Sequence, residues 1–140
     1  MIILDTNVIS ELTREKPDGV VFAWAHAQPA TGLYVTTITE AEVLQGIELL
    51  PKGKRRDALA AKVKVLFDRL FGSRVLPFES DAARSYAVIA AERRRLGRPI
   101  STFDAQIAAI ARANGARVAT RNVDDFAECG ADVIDPWNRH

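Results

Sequence analysis

The sequence predicts an α/β fold built on a small, mostly parallel sheet. Short apolar runs of strand length alternate with longer segments that have helical spacing, which is typical of βα units. The first apolar run ends in a carboxylate, Asp5, just before a helix candidate. A chain of 140 residues, 48% of them hydrophobic, is long enough for one domain with a real core. We therefore expect a single domain over 1–140, with about four or five short strands packed against helices.

Two strands and three helices are predicted in the first part of the chain. The strands lie at 2–5 and 33–36, where apolar and β-branched residues form short runs. Helices are predicted at 7–13, 18–28 and 40–50, the last ending before a Pro-Lys-Gly break. The helix at 18–28 is apolar around much of its circumference, which is typical of a core helix or of an interface.

The rest of the chain continues the same alternation. Apolar residues at helical spacing predict a long helix over 54–71, which Gly72 ends. A later helix ends at Asn114-Gly115, a favourable C-terminal cap. The remaining predictions are strands at 74–76, 117–120 and 132–134 and helices at 80–96, 103–113 and 124–128.

Composition and charge exclude several classes of protein. The net charge is +1, so a nucleic-acid site would need a local basic patch or a metal ion. The single Cys129 cannot form an intrachain disulfide, which suits a reducing cytoplasm. No apolar run reaches the roughly 18 residues of a membrane span. These features predict a cytoplasmic protein that does not enter a membrane.

Polar residues occur at four junctions between predicted strands and helices, or at the start of a helix. They are Asp5, Glu42, Asp104 and Asn122. Because the carboxyl ends of parallel strands lie at one edge of a sheet, we expect these side chains around one cleft. Mg²⁺ prefers oxygen ligands and keeps several waters, so a few carboxylates suffice to bind it. The pattern predicts a metal site that polarises a phosphodiester and activates a water.

Each of these residues also has a structural explanation. Asp5 is a good N-terminal cap for the helix that follows it. Glu42 completes a capping box with Thr39. The helix dipole favours an acid such as Asp104 near a helix N-terminus, and Asn122 resembles the start of a short helix. From these residues alone, both interpretations stay open.

Basic residues form three groups, at 52–56, 93–98 and 112–121. The run 92–95 is typical of a solvated helix face. Arg98 and Arg121 flank the acidic junctions, so we expect them to contact phosphates. His26 and His140 lack partners with the spacing of metal ligands, and the sequence has no glycine-rich phosphate loop.

Four segments together resemble PIN-domain proteins, specifically the VapC/FitB-like toxins. The resemblance spans essentially all 140 residues, and the order and spacing of the segments are specific. The segments are ILDTNVISE at 3–11, TTITEAEVLQGI at 36–47, FDAQIAA at 103–109 and VATRNVDDF at 118–126. The resemblance implies a PIN-like α/β/α sandwich with catalytic activity as a metal-dependent endoribonuclease.

The resemblance also assigns roles to individual residues. Asp5, Glu42 and Asp104 match the three core acids of the family, which bind Mg²⁺, with Mn²⁺ as an alternative. Thr6 matches the hydroxyl residue that supports the first acid. The fourth acid of the family falls at Asn122, which can hold a water or a ligand but carries no charge.

This departure leaves open whether one metal ion or two bind. Asp124 is a nearby acid that could substitute for the missing charge.

The resemblance further implies partners. The expected protein is the toxin of a type II toxin–antitoxin pair, and the tail of a small antitoxin would cover the acidic cleft. RNA is the implied substrate. A homodimer is also implied, together with a larger toxin–antitoxin assembly that binds DNA through the antitoxin.

Two other functions compete with this interpretation. In a haloacid-dehalogenase-like phosphatase, a nucleophilic aspartate also ends the first strand, and Asp124 with Asp125 would mimic its late acidic pair. That chemistry normally needs a second acid two residues after the first, where this chain has Asn7. The other alternative is a binding module whose nuclease site has decayed at Asn122, and the three remaining acids argue against it.

Overall fold

The fold is a five-stranded parallel sheet between two layers of helices. A computed structural model describes residues 1–138. The strands are β1 Ile2–Leu4, β2 Leu33–Thr36, β3 Val75–Leu76, β4 Arg117–Ala119 and β5 Val133–Ile134. The helices are α1 Thr6–Leu12, α2 Gly19–Ala27, α3 Thr37–Glu48, α4 Lys54–Val65, α5 Ser80–Arg95 and α6 Thr102–Ala113. The predicted fold class is confirmed, while residues 139 and 140, which include His140, lie outside the described residues.

The sheet has the strand order β3-β2-β1-β4-β5, and each neighbouring pair is parallel. Strand β1 is therefore central, with β2 on one side and β4 on the other. Register pairs Leu4 with Ala119, so β1 and β4 end at the same level. The residues that follow these two strands, Asp5 and Thr120, consequently lie side by side at the carboxyl edge of the sheet.

Alternate residues of the strands enter two separate cores. Ile3 and Val118 pack with α5 and α6 on one face of the sheet. Ile2, Leu4 and Ala119 pack with α1 to α4 on the other face. This alternation follows from the two-residue period of a strand. Both faces are buried, which explains why β1 reads as a continuous apolar run.

Helix α3 begins earlier than its sequence pattern predicts. The predicted helix spans 40–50, whereas the observed helix spans Thr37–Glu48. Thr36, the last residue of β2, caps it by accepting the N–H of Thr39 at 3.1 Å. The strand therefore passes directly into the helix, and Glu42 lies in the second turn rather than the first.

The predicted long helix over 54–71 consists of two parts. The α-helix α4 ends at Val65, and a π-helical turn continues it over Leu66–Phe71. Gly72 ends the turn with φ +52°, a conformation that glycine adopts without strain. The turn directs Phe67 and Phe71 into the core on the α1 to α4 side. Shorter 3₁₀ turns lie at Ala30–Gly32, Gly72–Arg74 and Val123–Phe126.

No helix among residues 1–138 is both long enough and apolar enough to cross a membrane.

Candidate active site

Asp5 follows the central strand β1 and is almost completely buried, with 3% of its surface exposed. Its Oδ1 accepts hydrogen bonds from the backbone N–H groups of Asn7, at 3.1 Å, and Val8, at 3.3 Å. Asp5 therefore caps α1, as its position in the sequence suggested. These capping bonds use one carboxylate oxygen, so capping is compatible with a second role for the residue.

The carboxyl group of Asp5 lies in an environment that disfavours its charge. Burial raises the pKa of Asp5 from 3.8 to about 6, and the charge of Asp104 adds to this rise. The Thr120 hydroxyl and the two capping N–H groups oppose it by stabilising the carboxylate. Within residues 1–138, none of the ion pairs involves Asp5. A buried acid of this kind gains most from a cation that neutralises it.

Asp104 lies in the first turn of α6, partly exposed. Ser101 caps this helix, because its hydroxyl oxygen accepts the N–H of Asp104 at 3.2 Å. Burial raises the pKa of Asp104, and the charge of Asp125 adds to the effect. Ser101 and the positive charge of Arg93 act in the opposite direction. The charge of Asp104 therefore interacts with that of Asp5 and with that of Asp125.

Glu42 is held near the start of α1 by Thr6. The Thr6 hydroxyl donates to Glu42 Oε1 at 2.6 Å and lies 3.1 Å from the Thr39 hydroxyl. Because Thr36 caps α3, the proposed capping box between Thr39 and Glu42 does not form, and that interpretation is wrong. The carboxylate of Glu42 is instead oriented by the residue that follows Asp5.

The fourth junction agrees with its prediction only in part. Asn122 lies at the start of a short 3₁₀ helix, as predicted, but its side chain makes no capping bond. Its backbone N–H donates to the Thr120 hydroxyl at 3.0 Å. Asn122 and Asp124 are exposed and line a cavity of about 350 Å³. Of the two acids that follow Asn122, Asp125 is the one whose charge raises the pKa of Asp104, whereas the sequence analysis favoured Asp124.

The charge of Asp104 influences Asp5, and that of Asp125 influences Asp104, but the acids do not form one preformed cluster. We call Asp5, Glu42, Asp104 and Asp125 the acidic edge. Within the part of the chain that the structure describes, no group of three or more His, Cys, Asp or Glu side chains is close enough to hold a metal ion. Mg²⁺ is commonly bound by one or two carboxylates with several waters. The oxygen donors at Asp5 and Asp104, with one acid buried and lacking an ion pair, fit this requirement.

A protein-family comparison matches the PIN domain over residues 2–131. The match includes all four junctions at which the polar residues lie. The chain belongs to the PIN-domain family. This assignment agrees with the parallel sheet and with acids at its carboxyl edge.

Known relatives extend over the whole length of this PIN domain. It is 44% identical over 137 residues to VapC ribonuclease Y4jK of Sinorhizobium fredii, with 98% of each chain covered. It is 37% identical over 138 residues to Toxin FitB of Neisseria gonorrhoeae, with 99% of each chain covered. Its fold matches a chain of FitAB bound to the IR36 DNA fragment, with a TM-score of 0.94 and 36% identity over 100% of this chain and 98% of that one.

A large groove opens beside the acidic edge of this PIN domain. Its volume is about 1160 Å³, and α1, α3 and α4 form its walls. Thr6 and Glu42 line it, so it is continuous with the acidic edge. We call it the basic groove after the cations that line it, which are Arg14, Lys16, Lys54, Arg55 and Lys62.

The predicted phosphate contacts lie outside the basic groove. Arg98 is 3.7 Å from Glu128 in an exposed ion pair. Arg121 stacks over the Trp137 ring at 5.1 Å and lines the smaller cavity with Asn122. Their contact with RNA stays a prediction. The signal for the basic groove was the basic run at 52–56, which sequence reasoning left without a role.

Arg93 contradicts the prediction that 92–95 is a solvated helix face. Only 4% of Arg93 is exposed, whereas Glu92, Arg94 and Arg95 are exposed as predicted. The α5 helix packs closely against α6, and Arg93 is on the packed side. In a run of three arginines, neither composition nor charge distinguishes the buried member from its neighbours.

Proposed function

We propose that this PIN domain is a divalent-metal-dependent endoribonuclease and the toxin of a type II toxin–antitoxin pair. The observation that carries the proposal is the buried Asp5, which has no ion pair among the described residues and lies beside Asp104 at the carboxyl edge of the sheet. The relatives support the reaction class, since one is named a VapC ribonuclease and another a toxin.

In the proposed mechanism, Asp5 and Asp104 would hold Mg²⁺ or Mn²⁺, with Glu42 as the third acid. A bound ion of this kind supplies positive charge that polarises the phosphodiester and favours ionisation of a water. The chain's own contribution is to fix the donors before substrate arrives. The α1 cap sets the orientation of Asp5, and the 2.6 Å bond from Thr6 sets that of Glu42.

The basic groove gives the substrate a place to bind. A polynucleotide carries a negative charge at each phosphate, and lysine and arginine side chains bind such a backbone without reading its sequence. Because the groove is continuous with Glu42, a strand held by Lys54 and Arg55 would lead towards the acidic edge. This arrangement favours cleavage within a chain.

The partners follow from the relatives. A chain of the DNA-bound FitAB structure shares the fold over its whole length. We therefore propose a small antitoxin that inhibits this chain and forms with it an assembly that binds DNA. Homodimerisation is part of the same proposal, and so is action in the cytoplasm.

The structure gives no support to the phosphatase alternative. That chemistry needs an acid at the position of Asn7. The Asn7 Oδ1 instead accepts the backbone N–H of Arg121 at 3.1 Å, so this side chain ties α1 to the segment after β4.

Cleavage of a mixed RNA pool in Mg²⁺, in Mn²⁺ and in EDTA tests the proposal. We expect cleavage with either ion, none in EDTA, and a loss of activity in Asp104→Asn. Asp132→Asn is the matched control, because it removes an exposed carboxylate that precedes β5, at the opposite end of the strand from the acidic edge. Cleavage that persists in EDTA would disprove metal dependence. Hydrolysis of p-nitrophenyl phosphate without RNA cleavage would support the phosphatase instead.

A further inference from the structure

Arg93 is a buried cation whose hydrogen bonds all go to neutral groups. Its Nε donates to the carbonyl of Arg98 at 2.7 Å. Its Nη1 donates to the carbonyls of Asp125, at 2.9 Å, and Ala127, at 2.8 Å, and lies 3.7 Å from Cys129 Sγ. In the described chain it forms no ion pair with a carboxylate within 4.0 Å.

Burial of the Arg93 charge lowers the stability of the fold, so we expect the charge to affect a nearby group. Burying a charge costs free energy unless the charge is both paired and hydrogen-bonded, and Arg93 has only the hydrogen bonds. The charge of Arg93 reaches the acidic edge, since Arg93 is among the groups that lower the pKa of Asp104. Arg93 thus supplies a fixed positive charge behind the acids.

The three carbonyls belong to two segments that flank the start of α6. Arg98 lies in the connection that leads to Ser101 and α6. Asp125 and Ala127 lie in and after the 3₁₀ turn Val123–Phe126, which packs against α6. The planar guanidinium joins both segments at once, because its N–H groups point in fixed, different directions. A break in this bridge would free the turn that carries Asp125.

We propose that Arg93 is a positioning residue of the acidic edge. It holds the turn Val123–Phe126 against the connection before α6, so that the Asp125 carboxylate faces Asp104 and supplies the late charge that Asn122 lacks. The inference rests on the proposed function, in which this edge binds a divalent ion. It differs from that function by assigning the fourth acid to Asp125 and its placement to Arg93.

A double-mutant cycle on Mn²⁺ binding tests the proposal in the full-length protein. Arg93→Lys keeps the charge but cannot bridge two segments with a fixed fork. We expect Arg93→Lys and Asp125→Asn each to weaken Mn²⁺ binding about tenfold, the loss typical of removing a group that orients a metal ligand. The double variant should be no weaker than the weaker single variant, because both changes remove the same carboxylate from the site.

The controls separate positioning from folding. Arg94→Lys is the matched control, since Arg94 is the exposed neighbour on the same helix. Thermal unfolding without metal checks that each variant is folded at the temperature of the titration. If Arg93→Lys melts at a lower temperature but binds Mn²⁺ as wild type does, Arg93 is only structural and the proposal is wrong. Additive losses in the double variant would overturn it as well.

Asp125→Asn keeps the test decisive even if every Arg93 variant fails to fold. Asp125 is exposed, so the amide should not affect folding. Unchanged Mn²⁺ affinity in Asp125→Asn would overturn the proposal whatever Arg93 does. Failure of the wild-type protein to bind Mn²⁺ would instead refute the metal-dependent function, and this inference with it. The two failures are therefore distinguishable from one set of titrations.

Discussion

The acidic edge and the basic groove meet at Thr6 and Glu42, but they are built in opposite ways. The Asp5 and Glu42 carboxylates are fixed by backbone N–H groups and by a hydroxyl, and Asp104 lies in the first turn of a capped helix. The cations of the groove are exposed on α4 or in the connection after α1, and most of them make no ion pair within the described residues. Removing one preorganised acid should cause a large loss of activity. Removing one of several cations should weaken RNA binding only slightly, because the others still contact the phosphates. The two regions should therefore respond differently to mutation.

Asp5→Asn should give the largest effect. The amide keeps an oxygen for the α1 cap but loses the charge that a cation needs. We expect cleavage to fall by on the order of 10²- to 10³-fold, as when one preorganised electrostatic group is removed. Measuring RNA cleavage at saturating Mn²⁺ checks this. Wild-type activity in the variant would reduce Asp5 to a helix cap.

Asp5 should also control how metal-free stability depends on pH. Its pKa is about 6 in the folded state and 3.8 in the unfolded chain, so the folded state binds the extra proton between these values. Its contribution is therefore present below about pH 4 and is lost as the pH rises through 6. The loss is at most roughly 3 kcal/mol, given about 1.4 kcal/mol per pKa unit. Urea unfolding in EDTA should show this slope in wild type and not in Asp5→Asn.

Glu42→Gln should give the second-largest loss of activity. It also tests whether Glu42 acts at the site or as a helix cap. Gln can accept the Thr6 bond but brings no charge, so activity should fall about tenfold or more while stability changes little. Thr36→Ala is the matched control on the same helix. It removes the observed cap and should cost about 1 kcal/mol of unfolding free energy while activity per folded molecule is kept. The reverse pattern would restore the capping role of Glu42.

The acidic edge could be predicted from sequence because its positions depend on local order. An apolar run that ends at Asp5 and a helix that begins near Asp104 are both visible without a fold, and parallel strands bring such junctions together. The start of α3 was misplaced because Thr36 belongs to the strand and caps the helix at once. That error put Glu42 in a capping box that does not form.

The basic groove and Arg93 could not be predicted in the same way. The groove joins residues as distant as Arg14 and Lys62, which only the packing of α1 against α3 and α3 against α4 brings together. Arg93 bonds to main-chain carbonyls, which every residue has, so no side-chain pattern marks its partners. Long-range packing and side-chain to main-chain bonds are therefore what the sequence leaves undetermined.

Changes in the basic groove should give smaller, graded effects. Replacing Lys54 and Arg55 by Ala should weaken RNA binding a few-fold and reduce the salt dependence by about 0.7 per lost contact on a single strand. The control pair is Lys64→Ala with Arg69→Ala, which removes the same charge from exposed positions on α4 and its continuation. Binding measured from low to high salt should change for the first pair only.

The same titration examines the earlier expectation for Arg98 and Arg121. Both are exposed. Arg121 begins the segment 121–128 and Arg98 pairs with Glu128 at its end, so both remain candidates for phosphate contacts. If replacing them by Ala flattens the salt dependence more than replacing Lys54 and Arg55, the RNA backbone crosses the opposite side of the acidic edge. The basic groove would then be left for another partner.

Asn122→Asp should give the smallest effect and tests where the acidic edge ends. It places an acid at the position predicted for the fourth acid, so it should tighten Mn²⁺ binding, which calorimetric titration measures directly. Asn122 is exposed and makes no capping bond, so the change should disturb little else.

The added charge lies near Asp124 and Asp125 and should slightly lower the metal-free melting temperature through repulsion. Addition of Mn²⁺ should then stabilise the variant more than it stabilises wild type. Unchanged affinity and stoichiometry would place Asn122 outside the metal site and leave Asp125 as the last acid of the edge.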